Sequence, residues 1–263
     1  MDYIQKLYLE LEERINNSDN KLSYLNLGYW KDTTNVYKAC EQLIEKLVLF
    51  SGIKNGNSIL DVGFGYGEQA VYLAQKLDRI NIHGINNVES QFKIAKQKVI
   101  RADLESRIRL DLGSACSINE TNKKYDVILC IEAAFHFESR ENFFRDAFEK
   151  LVEGGKVVLA DLIFAENSKR SERLKIMGVS SCNNYSLEKY LELLQKVGFK
   201  NIHFEDISDE VIPFAALESF QPKGWRTTQN ILLPKNEQDW NEKTDWYRRT
   251  TEIDKYIIVK AER

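Results

Sequence analysis

The sequence predicts an α/β chain built on a parallel sheet with helices packed on both faces. Between residues 58 and 207, apolar strand patterns alternate with helical ones, the signature of strand–crossover–strand units. Two strand patterns, at 125–131 and 156–162, are apolar through almost their whole length, as strands buried on both faces are. A turn with glycine at 63, 65 and 67 joins the first strand of this series to its first helix.

Ahead of the alternating region, Leu7, Leu11 and Ile15 mark the apolar stripe of a helix over Tyr3 to Arg14, and polar turn formers at 16–21 end it. Cys40, Leu43, Ile44, Leu47 and Val48 mark a second helix over Val36 to Phe50. The series then reads as strand Ser58 to Val62, helix Glu68 to Lys76, strand Ile80 to Ile85 and helix Ser90 to Ala102. Strands Arg107 to Leu112 and Tyr125 to Ile131, helix Asn142 to Leu151 and strand Lys156 to Leu162 continue it. Residues 165–185 are polar and mixed, and a helix over Leu187 to Val197 and a strand over Asn201 to Ile207 follow.

All three prolines, Pro213, Pro222 and Pro234, fall in one stretch that also holds Trp225, Trp240 and Trp246. That stretch is too aromatic for a disordered linker and too broken for a long helix. It is expected to form a cap over 208–253, inserted before a last strand, Lys255 to Lys260. The expected division is a helical lid over 1–52, an α/β core over 53–207, the cap, and a final core strand within 254–263.

The 263 residues suit one large domain, and 43% hydrophobic with 29% charged residues is ordinary for a globular protein. No apolar run is long enough for a membrane span, and Met1 to Glu13 has no basic end or apolar stretch of a signal peptide. With 37 basic against 40 acidic side chains, no nucleic-acid surface is expected. Cys40, Cys116, Cys130 and Cys182 are widely spaced and only three histidines accompany them, so neither a disulfide framework nor a metal site is expected. Reduced thiols in a cytoplasmic protein are the simplest reading.

The strongest local signal is Asp61-Val62-Gly63-Phe64-Gly65-Tyr66-Gly67-Glu68. Its glycines permit a tight turn and a close ligand approach, and the helix start adds partial positive charge. An isolated GxG would be a plain strand-to-helix turn. Three alternate glycines after an apolar strand ending in Asp point to a cofactor loop. A dinucleotide fingerprint needs its third glycine three places after the second, where this chain has Glu68.

These segments resemble the class I S-adenosylmethionine-dependent methyltransferases. Asp61 to Glu68 is similar to their first motif, Ile82 to Val99 to their second, and Val152 to Leu162 to their strand-five motif. The resemblance implies a Rossmann-like, seven-stranded doubly wound sheet whose last strand is antiparallel. Tyr24-Leu25-Asn26-Leu27-Gly28-Tyr29-Trp30 resembles an aromatic leading segment, and Glu132-Ala133-Ala134-Phe135-His136-Phe137 with Arg140, Phe143 and Phe144 resembles a stretch after strand four, both in the small-molecule, natural-product-tailoring subgroup. The resemblance implies that Gly63, Gly65 and Gly67 approach the methionine part of S-adenosyl-L-methionine, that Asn86, Asn87 and Gln91 lie near its ribose, and Ser114 and Ala115 near its adenine. It implies that Tyr29 and Trp30 cover the sulfonium end, where aromatic faces attract cations. Their other reading is closure of the core. Asp61 is expected to order the glycine loop, and Glu132 to contact cofactor or loop backbone. Asn86 stands where the family often has an acidic residue, and Ser114-Ala115 where it often has Asp-Ala; an amide still accepts a hydrogen bond.

His136 follows the strand 125–131 closely, which places it near the carboxyl ends of the strands, where ligands bind. An ordinary imidazole pKa of about 6.5 suits a general base at neutral pH. Its other reading is a rim histidine packed between Phe135 and Phe137. Asp161 closes the next strand, and is expected either to fix the tautomer of His136 or to cap the following turn. His83 and His203 are expected to be structural. The expectation is methyl transfer to a hydroxyl oxygen of a small or medium apolar metabolite, a polyketide- or peptide-derived one among the candidates. Transfer to carbon or nitrogen, and a non-catalytic S-adenosylmethionine-binding partner subunit, remain alternatives.

Overall fold

The computed structural model describes residues 24–115, 118, 123–165, 172–220 and 230–263. The expected helix at 3–14, together with Cys116, Pro222 and Trp225, lies outside the described residues.

The strands are β1 (Ser58–Val62), β2 (Asn81–Asn86), β3 (Ile108–Leu112), β4 (Tyr125–Ile131), β5 (Leu151–Phe164), β6 (Lys200–Asp206) and β7 (Ile253–Glu262). They form one seven-stranded sheet in the order β3-β2-β1-β4-β5-β7-β6. The pairs from β3 to β5 are parallel, and β7 runs antiparallel to both β5 and β6. The helices are α1 (Val36–Ser51), α2 (Glu68–Lys76), α3 (Glu89–Arg101), α4 (Arg140–Lys150), α5 (Glu172–Ile176), α6 (Leu187–Val197), α7 (Ser208–Ser219) and α8 (Glu237–Thr251).

Local chemistry sets the helix ends. Asn35, Ser139, Ser186 and Asn236 each accept a hydrogen bond from a backbone N–H three residues on, starting α1, α4, α6 and α8. Gly52 and Gly198 close α1 and α6 in the left-handed conformation that glycine adopts cheaply. Two apolar clusters bury the sheet. One includes Leu43, Leu47, Ile59, Leu129, Ile212 and Ile258, and the other Leu60, Ile128, Phe144, Leu159, Leu194 and Ile257. Successive residues of β1, β4 and β7 thus enter opposite clusters, as period-two geometry requires.

The sequence placed β5 at 156–162, and it runs from 151 to 164. Gly155 makes the longer strand possible, because a side chain there would press on the carbonyls of Val152, Tyr125 and Asp126. The stretch 208–253 is also more helical than expected. Pro234 lies just before the cap of α8, outside the helix. Pro213 sits within α7 and removes one helical hydrogen bond, but Val211, Ile212, Ala215 and Ala216 are fully buried and offset that loss.

Candidate active site

The strand order turns back between β1 and β4. In open α/β sheets, ligands bind outside the carboxyl ends of the strands at such a point. Two segments meet there, the glycine loop 63–67 after β1 and the residues 132–137 after β4. A Cβ on Gly63 would collide with the Cβ of Ala133.

Gly63, Gly65 and Gly67 have φ of 81°, 56° and 81°, in the left-handed region. Gly63 and Gly65 are partly exposed, so their backbone can be approached. Gly67 is buried, and an added Cβ would sit 2.8 Å from the Cβ of Ala95, so this glycine lets α2 approach α3. Asp61 is fully buried at the end of β1. Its Oδ1 accepts from Gln69 Nε2 at 2.9 Å, and its Oδ2 is buried with no hydrogen-bond partner. Burial pushes the carboxyl up to about 7, against the pull of the Gln69 hydrogen bond.

Asn86 ends β2 and donates from Nδ2 to Gln91 Oε1 at 2.8 Å; both side chains are buried, and Gln91 Nε2 has no partner. Asn87 beside them is exposed. Ser114, exposed, and Ala115, half-buried, follow β3 on the same rim. Buried polar atoms without partners are costly unless something meets them. Orphaned atoms on Asp61 and Gln91, beside two glycines with open backbone, fit a polar cofactor laid from β1 toward β2.

The aromatic segment 24–30 crosses this loop. Leu25 Cδ1 lies 3.0 Å from where a Cβ on Gly65 would stand. Tyr29 is half-buried, and its N–H donates to the carbonyl of Ala39. The segment is pinned by Glu132, whose Oε1 accepts from Leu27 N and from the hydroxyl of Tyr256, both at 2.6 Å. Glu132 holds its place at φ 50°, unusual for a non-glycine residue. The family resemblance put Trp30 over the sulfonium. In the structure the Trp30 indole is 3% exposed, stacks on Phe214 with centroids 5.3 Å apart, and donates to the carbonyl of Leu27. Trp30 is therefore a core residue that docks this segment on α7, the alternative reading of its sequence.

His136 ends a short 3-10 turn, Ala134–His136, and is half-buried. Its Nδ1 lies 3.0 Å from the carbonyl oxygen of Gly178. A carbonyl only accepts, so Nδ1 carries the proton and the lone pair is on Nε2. Burial lowers the imidazole pKa to about 4; the Gly178 carbonyl opposes that shift and the charge of Arg140 adds to it.

Asp161 does not orient His136. Its carboxylate is fully buried against Arg140, with Oδ2 2.9 Å from Nε and Oδ1 3.0 Å from Nη2, and Oδ2 also accepts from the Tyr190 hydroxyl at 3.2 Å. Oδ1 further accepts from Leu162 N at 2.9 Å. The Gly178 carbonyl does the work that the sequence assigned to Asp161. Sequence reasoning gave no role to Arg140 or Asn183. An arginine among the phenylalanines of 135–144 was the visible signal for the first; no signal marked the second. His83, expected to be structural, is buried between the Tyr125 hydroxyl and Asp111.

This sheet and this loop define a class I S-adenosylmethionine-dependent methyltransferase. The chain belongs to the family described as mycolic acid cyclopropane synthetase, whose profile matches residues 17–226. It is 29% identical over 203 residues to the erythromycin 3''-O-methyltransferase of Saccharopolyspora erythraea, a match covering 72% of this chain and 66% of the relative. It is 26% identical over 214 residues to the 27-O-demethylrifamycin SV methyltransferase of Amycolatopsis mediterranei, covering 79% and 78%. In fold it is similar to the [4+2]-cyclase SpnF, with a TM-score of 0.73, 19% identity and coverage of 99% and 94%. A putative sarcosine dimethylglycine methyltransferase from Galdieria sulphuraria gives a TM-score of 0.72 at 16% identity, with coverage of 99% and 98%.

Proposed function

We propose that the chain methylates a hydroxyl oxygen of an apolar small or medium metabolite, using S-adenosyl-L-methionine. The observation that carries this reading is His136, on the turn that follows Ala133 where that residue abuts Gly63, with its Nδ1–H on the Gly178 carbonyl so that Nε2 holds the lone pair. The natural-product O-methyltransferases among its relatives support the same acceptor class. Gly63, Gly65 and Asp61 would hold the methionine part, Asn86, Asn87 and Gln91 the ribose, and Ser114 and Ala115 the adenine. When bound, the cofactor supplies an electrophilic methyl group on a positively charged sulfur.

His136 Nε2 would take up the acceptor's hydroxyl proton, and its Nδ1–H would stay on the carbonyl of Gly178, so the imidazolium keeps its alignment. A low pKa weakens the base but leaves it wholly unprotonated at neutral pH. Glu132 and Tyr256 hold the aromatic segment, whose Leu25 packs against Gly65 of the loop. Helices α7 and α8, between β6 and β7, form the acceptor wall in this reading, supported by the aromatic run Trp30, Phe214 and Trp240. The free thiols Cys40, Cys130 and Cys182 support a cytoplasmic setting. No described helix is long and apolar enough to cross a membrane.

The test is incubation with isotopically labelled cofactor and a panel of hydroxylated macrolides and polyketides, followed by NMR of the product. An O-methyl signal is expected. A new C-methyl or N-methyl group, or no transfer across the panel, overturns the assignment to oxygen. A second expectation concerns the ribose. Asn86→Ala should weaken binding of the demethylated cofactor by roughly 1–3 kcal/mol, the cost of a lost buried hydrogen bond. Asn86→Asp should preserve binding, because Gln91 can turn its unpaired amide N–H toward the new carboxylate. Calorimetric titration checks both, and unchanged affinity in Asn86→Ala would place this residue outside the site.

A further inference from the structure

We infer that the segment Gly178–Asn183 is a clasp that positions the turn carrying His136, with Asn183 as its central positioning residue. The inference rests on the reading of His136 as the base, and it adds how that base is aimed. In the turn 134–137 the carbonyl of Ala134 accepts from Phe137 N, while those of Phe135 and Phe137 are met by no strand or helix and must find partners elsewhere.

Asn183, buried at 1% exposure, supplies them. Its Nδ2 is 2.6 Å from the carbonyl of Phe137 and 3.4 Å from those of Ala134 and Phe135. Its Oδ1 accepts from Arg140 N at 2.8 Å. The amide cannot be reversed, because its NH2 would then face an N–H and its oxygen three carbonyls. The carbonyl of Gly178 accepts a hydrogen bond from His136 Nδ1–H, and Ser180 N donates to the carbonyl of Phe135 at 3.3 Å. Ser180 Oγ and Cys182 Sγ both reach the carbonyl of Glu138, at 3.1 and 2.6 Å.

The clasp is itself anchored. Arg140 Nη1 bonds the carbonyl of Asn183, while Nε and Nη2 engage Asp161 on β5. Buried ion pairs of this kind fix geometry more surely than they add stability. The chain of contacts runs from β5 through Asp161, Arg140 and Asn183 to the backbone on either side of His136. Asp161 therefore acts on the histidine through the backbone that carries it and makes no contact with the imidazole.

The test uses the full chain, with ring ¹⁵N shifts of the histidines assigned through His136→Gln. The wild type should show His136 as a single neutral tautomer with the proton on Nδ1. Asn183→Asp keeps the size and the acceptor for Arg140 N but cannot donate to the carbonyls of 134, 135 and 137. It should mix the two tautomers of His136 and lower kcat by about 10²-fold, the penalty of small misplacement of a reacting group. The Kd of the demethylated cofactor, measured by calorimetry, should stay within about 2-fold. Asn183→Ser, which restores a short donor, should recover part of kcat. A folded Asn183→Asp that keeps the single tautomer would overturn the clasp. If Asn183→Asp fails to fold, Asn183→Ala removes the donor without adding a buried charge, and the same single tautomer there would overturn the clasp too. Because the tautomer is read without turnover, mixed tautomers in Asn183→Asp together with full activity of His136→Gln would retain the clasp and remove the base.

Discussion

His136→Asn should lower kcat by roughly 10²–10⁴-fold while leaving cofactor affinity unchanged, because an amide keeps volume and hydrogen bonding but takes up no proton. The pH profile carries the sharper information. An ordinary histidine would give an acid limb near pH 6.5, but burial holds His136 at about 4. The rate should therefore be flat across neutral pH and fall about tenfold per unit only below about pH 4, and that limb should be absent in His136→Asn. Stability has the same sign. The folded pKa lies below the unfolded one, so the unfolded chain takes up the proton first as pH falls below 6.5. Stability then declines until the native imidazole titrates near 4, and His136→Asn removes that part of the acid sensitivity. Stopped assays with labelled cofactor and urea titrations between pH 4 and 8 read both effects. A His136→Asn enzyme with near-wild-type kcat at saturating acceptor makes the histidine a packing residue and points to carbon or nitrogen as the methylated atom.

Arg140→Met should destabilise the fold by about 3–5 kcal/mol, because it leaves the carboxylate of Asp161 charged and fully buried without its partner. It also strips the hydrogen bonds of Arg140 to the carbonyls of Asn183 and Leu162. The double variant Arg140→Met, Asp161→Leu exchanges the pair for apolar side chains of similar volume and should recover most of the loss in chemical denaturation. Activity should not recover with it, since neither new side chain can hold Asn183 against the His136 turn. Equal stability of Arg140→Met and wild type would show that water reaches Asp161.

The regular part of this chain was legible because its signals are local. Strands at 58–62 and 125–131 and helices at 68–76 and 187–197 have the bounds that apolar runs, glycines and caps predicted. The glycine loop was legible for the same reason. The partner of Asp161 was not, because strand position tells where a side chain ends and not which of two neighbours reaches it. Arg140, entering from the first turn of α4, arrives with two donors in a rigid fork and displaces any claim by His136. Asn183 lies in a stretch with no period at all, and its role comes from carbonyls more than 40 residues away. Trp30 was ambiguous from sequence, since an indole near a cofactor loop reads alike whether it faces the ligand or the core; only Phe214 stacked on it decides.

The place of β7 has a consequence for the order in which the molecule is made. The last strand in the chain is an inner one in the sheet, with Tyr256, Ile257, Ile258 and Val259 fully buried and partners on both sides. Until it arrives, β5 presents a long unpaired edge and β6 has no strand to pair with at all. Such an edge is a template for other chains. Closure must also wait for α7 and α8 to be set down first, which raises the sequence separation of the closing contacts and slows the final step. A chain ended at Glu252 should therefore keep much of its helix but bind hydrophobic dyes and self-associate in size-exclusion chromatography. A monodisperse, cooperatively melting product would mean that β6 can close directly on β5.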